Sequence, residues 1–126
     1  GLGCRDTLRL EKGLPLYGQD LSEDINPFMT RYSWVVKLNS DFIGKEALLK
    51  VKDTQQNLKA VGVEMLERVI PRTHYSIEEG GEITSGTLSP TLDKPIALAL
   101  VNSNFATLGS TITVKVRNKP CKAKVV

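Results

Sequence analysis

Aromatic residues are scarce in this chain, at 6% of 126 residues. A nucleic-acid reader needs aromatics interleaved within a basic cluster, whereas here the net charge is only +3 and the lysines stand mostly singly, as on solvated faces. No nucleic-acid partner is expected. No apolar run approaches the roughly 20 residues that cross a bilayer as a helix, so no membrane insertion is expected either. The longest run, Ile96–Val101, suits a buried strand. Cys4 and Cys121 lie near opposite ends without metal-type spacing, which leaves no disulfide framework; both are expected to be reduced thiols filling small apolar spaces. His74 is the sole histidine, so neither a triad nor a metal cluster can be assembled around it. It reads as a surface or interface residue beside Pro71-Arg72. Gly80-Gly81 lacks the lysine and helix of a phosphate loop. Repeats and low-complexity segments are absent. The N-terminus has neither an initiator Met nor an apolar signal region, and reads as a cut inside a longer protein.

What is present is the profile of one globular domain with a flanking piece: 40% hydrophobic and 25% charged residues. Good helix formers from Leu2 to Lys12 are followed by a stop at Gly13 and Pro15. Leu10 and Leu14 are spaced for packing. Tyr17–Asp24 is polar and turn-rich, and Asn26-Pro27 caps a short helix through Arg31. Trp34–Leu38 has strand composition. A second helix is expected from about Gly44 to Lys52, with Ser40 or Asp41 near its start and a Glu46–Lys50 pair on its wet side. The polar stretch Asp53–Asn57 is the expected boundary, dividing the chain into 1–57 and 58–126.

Beyond it the pattern alternates. Val61, Val63 and Met65 share one face, as do Ile112, Val114 and Val116, and then Cys121, Ala123 and Val125 after a turn at Asn118-Lys119. Glu79-Gly80-Gly81 turns the chain between Tyr75–Ile77 and Glu82–Thr84. The expected fold class is therefore α+β: a helical and mixed N-terminal segment, then about six short strands in a small antiparallel barrel or sandwich.

Among polar residues, Arg5 and Arg9 stand one turn apart on one helix face, where two guanidiniums repel unless an anion lies between them. The structural alternative is neutralisation by Asp6, Glu11 or acids elsewhere. Ser85, Ser89 and Ser110 sit in turn-like contexts that need no catalysis to explain them. Tyr17 either flanks a ring-shaped ligand or staples its loop to the core. Residue chemistry alone names no reaction.

Longer motifs go further. Gly1–Gly18, with Leu8-Arg9-Leu10-Glu11 at its centre, and Thr84–Ala99, with Ser89-Pro90-Thr91-Leu92, resemble two signatures of the glycine cleavage T-proteins and their folate-dependent relatives. Asp41–Leu48, Gly62-Val63-Glu64 and Val116–Val126 also match in order and spacing. The resemblance implies a small C-terminal barrel over 58–126 and a remnant of the folate-binding region over 1–57. It implies transfer of an aminomethyl carbon from a lipoylated H-protein to tetrahydrofolate, with release of ammonia and formation of methylenetetrahydrofolate. The family's catalytic carboxylate lies in an N-terminal part that this sequence does not contain, so no catalytic residue is assigned and the chain alone is expected to be inactive. Arg9 and Tyr17 match residues at the folate site, Arg5 and Asp6 match bracing residues, and Arg72 matches a barrel arginine facing H-protein or the cavity. Cys4 replaces a usual alanine, and the chain stops before the tail that packs toward the cavity in relatives. The family implies the cytoplasm for a bacterial protein and the mitochondrial matrix for a eukaryotic one. Two other readings stay open: a non-catalytic folate- or protein-binding module, and the folate domain of a dimethylglycine or sarcosine dehydrogenase.

Overall fold

A computed structural model describes residues 1–54 and 56–126. Gln55, inside the expected boundary stretch, lies outside the described residues. Helix α1 (Leu2–Lys12) ends where the sequence says it must, because Gly13 takes the left-handed conformation at φ 76°. There the Gly13 amide donates to the Leu10 carbonyl at 2.9 Å and the Leu14 amide to that of Arg9 at 2.8 Å, which satisfies the last turn. Leu10 is buried beneath the helix, but Leu14 is not and remains about half exposed.

The segment that follows is held by local polar bonds. Asn26 accepts from the Phe28 amide and starts a 3-10 turn, Pro27–Met29, which is shorter than expected because Thr30 turns extended. Ser33–Val35 is also a 3-10 turn and not the strand its composition suggests. Strand propensity expresses packing against neighbouring strands, and Trp34 has none: it stands 69% exposed while the Tyr32 hydroxyl ties the turn to the Gly13 carbonyl at 2.6 Å. Helix α2 (Lys45–Lys52) starts from Gly44 at φ 90°, with no side-chain cap from Ser40 or Asp41.

Five strands follow among the described residues: β1 (Leu58–Met65), β2 (Gly81–Ser89), β3 (Lys94–Asn102), β4 (Thr111–Val116) and β5 (Lys119–Val125). They form one antiparallel sheet in the order β2-β3-β1-β5-β4. The sheet curls until both edges reach the same short segment. There Ser76 pairs with Glu82, and Ile77 pairs with Val114. The Ile77 amide donates to Gly81 at 3.0 Å, and the Glu78 amide to Thr113 at 2.9 Å. The stretch expected as a sixth strand is thus a stitch between edges, too short to be a strand of its own. Covering both edges removes the unpaired backbone an open sheet would expose.

The predicted alternation holds in β1, β4 and β5, whose inward residues fill the core with Ile83, Ala97, Ala99 and Val101. Arg117 and Asn118, at φ 50° and 65°, make the β4–β5 turn one residue earlier than expected. Positive φ at both central residues matches the twist of the strands they join. Cys121 is buried in this core; Cys4 is not a filler but an exposed thiol on α1.

Helix α1 lies across the outer face of β2. Its Glu11 carboxylate accepts from the Ser89 hydroxyl at 2.6 Å, the Thr91 amide at 3.2 Å and the Thr91 hydroxyl at 3.0 Å. Ser89 is a buried joint to the helix as well as a turn residue, since its hydroxyl also accepts from the Leu92 amide at 3.1 Å. The Ser89 bond, followed by the Thr91 amide, holds the Glu11 carboxyl below its ordinary range. A lowered folded-state value means stability that is present above the ordinary carboxylate range and lost as pH falls through the lowered value. The stability gap between parent and Glu11→Gln is therefore expected at neutral pH and should close in strong acid. Equal gaps at both pH values in urea unfolding would refute the latch.

Gly86 marks another close approach. A Cβ there would stand 2.0 Å from the Pro71 carbonyl oxygen, a backbone atom. Gly86→Ala is expected to cost about 3 kcal/mol, the upper end of ordinary overpacking. A denaturation midpoint unchanged from the parent would show that this loop yields instead.

Candidate functional site

The polar residues of the N-terminal segment converge on a defect in β2. Ile83 pairs with Ala99 and Ser85 with Leu98, so two residues of β2 are taken up against one of β3. Residues directly opposite in an antiparallel pair share a face. Ile83 therefore joins the core with Ala99, and the bulge throws Ser85 outward with Leu98. From there Ser85, Thr87 and Ser89 form a row that meets Arg9, Thr7 and Glu11 of α1.

Asp20 is the centre of this junction. Its side chain is 6% exposed, and that of Arg9 is 8% exposed. One carboxylate oxygen of Asp20 accepts from the Thr84 hydroxyl at 2.6 Å and the Ser85 hydroxyl at 2.8 Å. The other accepts from Arg9 Nη1 at 2.5 Å and from the Leu16 amide at 2.9 Å. The remaining Arg9 donors reach Asp6, the Gln19 side chain and the Ser85 hydroxyl, while Nη1 also lies 3.3 Å from the Leu14 carbonyl. Among the described residues, no buried side-chain nitrogen or oxygen lacks a partner. The space beside the cluster, lined by Leu21, Tyr32, Leu98 and Leu100, holds only about 30 Å³, room for about one water. The junction is saturated and tight.

Arg9 is thus buried and engaged on every side by the protein itself. Arg5, its expected companion, is exposed on the helix. Asp6 bonds to Arg9 within the helix, three residues away. Tyr17 sits on the same loop as Asp20, which closes through Gly18 amide to Leu21 carbonyl at 2.7 Å and Asp20 amide to Leu16 carbonyl at 2.8 Å. Unlike Arg9, the Tyr17 ring is 69% exposed. The loop therefore has a buried carboxylate as its root and an exposed aromatic as its tip.

Arg72 lines an open depression of about 460 Å³ together with Arg68, Arg117 and Lys119. Arg68 is paired with Asp93 at 2.9 Å. Burial pushes the Cys121 thiol of this wall up, and the nearby Glu67 adds to it. His74 is exposed, held at φ 72°, with Nδ1 3.5 Å from Glu82. Among the described residues, no group of three His, Cys, Asp or Glu side chains could hold a metal ion, and no helix is long and apolar enough to cross a membrane.

Asp20, Thr84 and Ser85 were not singled out as a site by residue chemistry. The available signal is Thr84-Ser85-Gly86 within a strand, since two hydroxyls and a glycine interrupt the apolar alternation where a bulge forms.

Comparison with known proteins agrees with this architecture. Residues 59–126 match the family model described as the glycine cleavage T-protein C-terminal barrel domain, and residues 1–40 match that of the GCVT N-terminal domain. An aminomethyltransferase of Listeria monocytogenes serotype 4a is 52% identical over all of this chain and 36% of its own length. One of Bacillus mycoides is 50% identical with the same coverage. The chain thus spans little more than a third of the curated relatives it matches. The crystal structure of the glycine cleavage system aminomethyltransferase T from Bartonella henselae superposes with a TM-score of 0.91 at 30% identity, covering 99% of this chain and 37% of that one. A barrel of this topology, joined to α1 through the Asp20 junction and matched along its whole length, places the chain in the glycine cleavage T-protein family.

Proposed function

We propose that this chain is the C-terminal part of an aminomethyltransferase that moves the aminomethyl carbon of a lipoylated H-protein to tetrahydrofolate, releasing ammonia. The observation that carries this reading is the 52% identity along the entire chain with a relative named aminomethyltransferase. Residues 1–57 would then form one wall of the folate cavity, and 58–126 the barrel that braces it. The reacting groups come from the remainder of the protein, since the junction on these residues is fully bonded to itself.

The residues on this wall fit folate in one respect and not in another. Tyr17 offers an exposed ring suited to stacking on a planar pterin. Arg9 has no donor left to offer, because Asp6, Asp20, Gln19 and Ser85 occupy them. We therefore assign Tyr17 to contact folate and Arg9 to hold the loop that presents it.

The reading is tested on the full-length polypeptide carrying this chain. Supplied with aminomethyl-loaded H-protein and tetrahydrofolate, it should form methylenetetrahydrofolate and ammonia. No folate-dependent product would sink the proposal. Tyr17→Ala should weaken folate binding in calorimetry while Tm stays at the parent value. Arg9→Ala should instead destabilise the protein by about 3–5 kcal/mol, because it strands the buried Asp20 carboxylate. A stable Arg9→Ala protein that has lost only folate affinity would reverse the two roles.

A further inference from the structure

The Leu16–Leu21 loop owes its position to the barrel as much as to its own helix. Among the described residues, its side-chain bonds to the barrel run through Gln19 and Asp20 alone, and all end on Thr84 or Ser85. The charge balance explains why hydroxyls are needed there. Arg9 is shared between two carboxylates, Asp6 at 38% exposure and Asp20 at 6%, so the cluster carries one more negative charge than positive. The excess on the half-exposed Asp6 can be met by water. That on Asp20 must be met by donors within the protein. The Leu16 amide supplies one donor, and the bulge supplies the others by turning two consecutive hydroxyls to the same carboxylate. The single Thr84 hydroxyl hydrogen has a second acceptor in reach, the Leu98 carbonyl at 3.0 Å, which competes for it at longer range than the Asp20 oxygen at 2.6 Å.

We propose that Thr84 and Ser85, on the β2 bulge of the barrel, are positioning residues for tetrahydrofolate, acting through Asp20 to set the loop that presents Tyr17. The inference rests on the folate reading above and adds to it a part for the barrel. Neither hydroxyl touches the ligand. Their contribution is to fix one root of a loop whose tip does.

The test compares Thr84→Val, which keeps the shape and removes the hydroxyl, with Thr84→Ser, which keeps the hydroxyl, alongside Ser85→Ala, all in the full-length polypeptide. Amides of Leu16–Leu21 should exchange hydrogen faster in Thr84→Val and Ser85→Ala while α1 and the barrel stay protected. Kd and KM for tetrahydrofolate should rise roughly fivefold to tenfold, less than the full loss of a hydrogen bond to a charged group because the Leu16 amide and the other hydroxyl still hold Asp20. We expect kcat to stay within about twofold and KM for the lipoyl carrier to remain at the parent value, as for a change confined to ground-state binding. Thr84→Ser should restore the parent values. Unchanged folate Kd in a folded Thr84→Val protein, whatever its loop exchange, overturns the proposal. So does a loss of kcat with both KM values unmoved. If Ser85→Ala fails to fold, the Thr84 pair decides alone. A parent protein that binds no tetrahydrofolate would remove the folate reading itself, an outcome distinct from a parent that binds and variants that bind equally well.

Discussion

Asp20 and Arg9 are opposite charges taken almost wholly out of water, and such a pair persists only when every lone pair and proton around it is met. That requirement reaches into three parts of the chain. It needs α1 for the guanidinium, the Leu16 amide to close the loop, and the β2 bulge for the two hydroxyls. A saturated network of this kind specifies geometry more than it adds stability, because the solutions that satisfy all its members at once are few. The apolar core of the barrel would tolerate a helix lying at several angles across its outer face. The bonds Thr7–Thr87, Arg9–Ser85 and Glu11–Ser89 select one.

The bulge is where the two layers of the fold meet. Were Ile83, Thr84 and Ser85 paired in regular register, with no bulge, strict alternation would send Ser85 into the core beside Ile83, which is fully buried. A buried serine without a partner would cost stability there, and the outer face would lose its link to Asp20. One inserted residue removes the conflict and creates the junction. The bulge thus serves as a device for redirecting side chains, consistent with the tendency of bulges to lie beside functional sites.

The sequence was most legible where one physical pattern acts alone. Period-two alternation located β1, β4 and β5 with their inward residues, and Gly13 marked the end of α1, because burial of one face and positive φ each leave a local trace. Trp34–Leu38 misled for the opposite reason: its composition is that of a strand, but among the described residues no neighbouring strand pairs with it. Ser85 and Ser89 looked like turn residues because polarity inside a strand is visible in sequence, whereas the helix that absorbs it comes from more than 70 residues away. The family was legible from ordered motifs, which contain Arg9, Thr84 and Ser85 without saying what each one does and stop short of Asp20, the junction's centre.

Motif and geometry give different weight to Arg9 and its neighbours. An arginine held in a signature next to a ligand cavity is easily read as a ligand contact, since guanidinium is well made for carboxylates. The carboxylates it meets here belong to the protein itself. Its fixed fork serves the fold by holding Asp6 and Asp20 at once, which the single point charge of a lysine could not do with the same directionality. Tyr17 is the exposed aromatic of the same signature, and its ring can face a ligand only from where the buried members leave it. The barrel then supplies more than a cover for one side of the protein: through two hydroxyls on a bulge it shares in deciding where that ring stands.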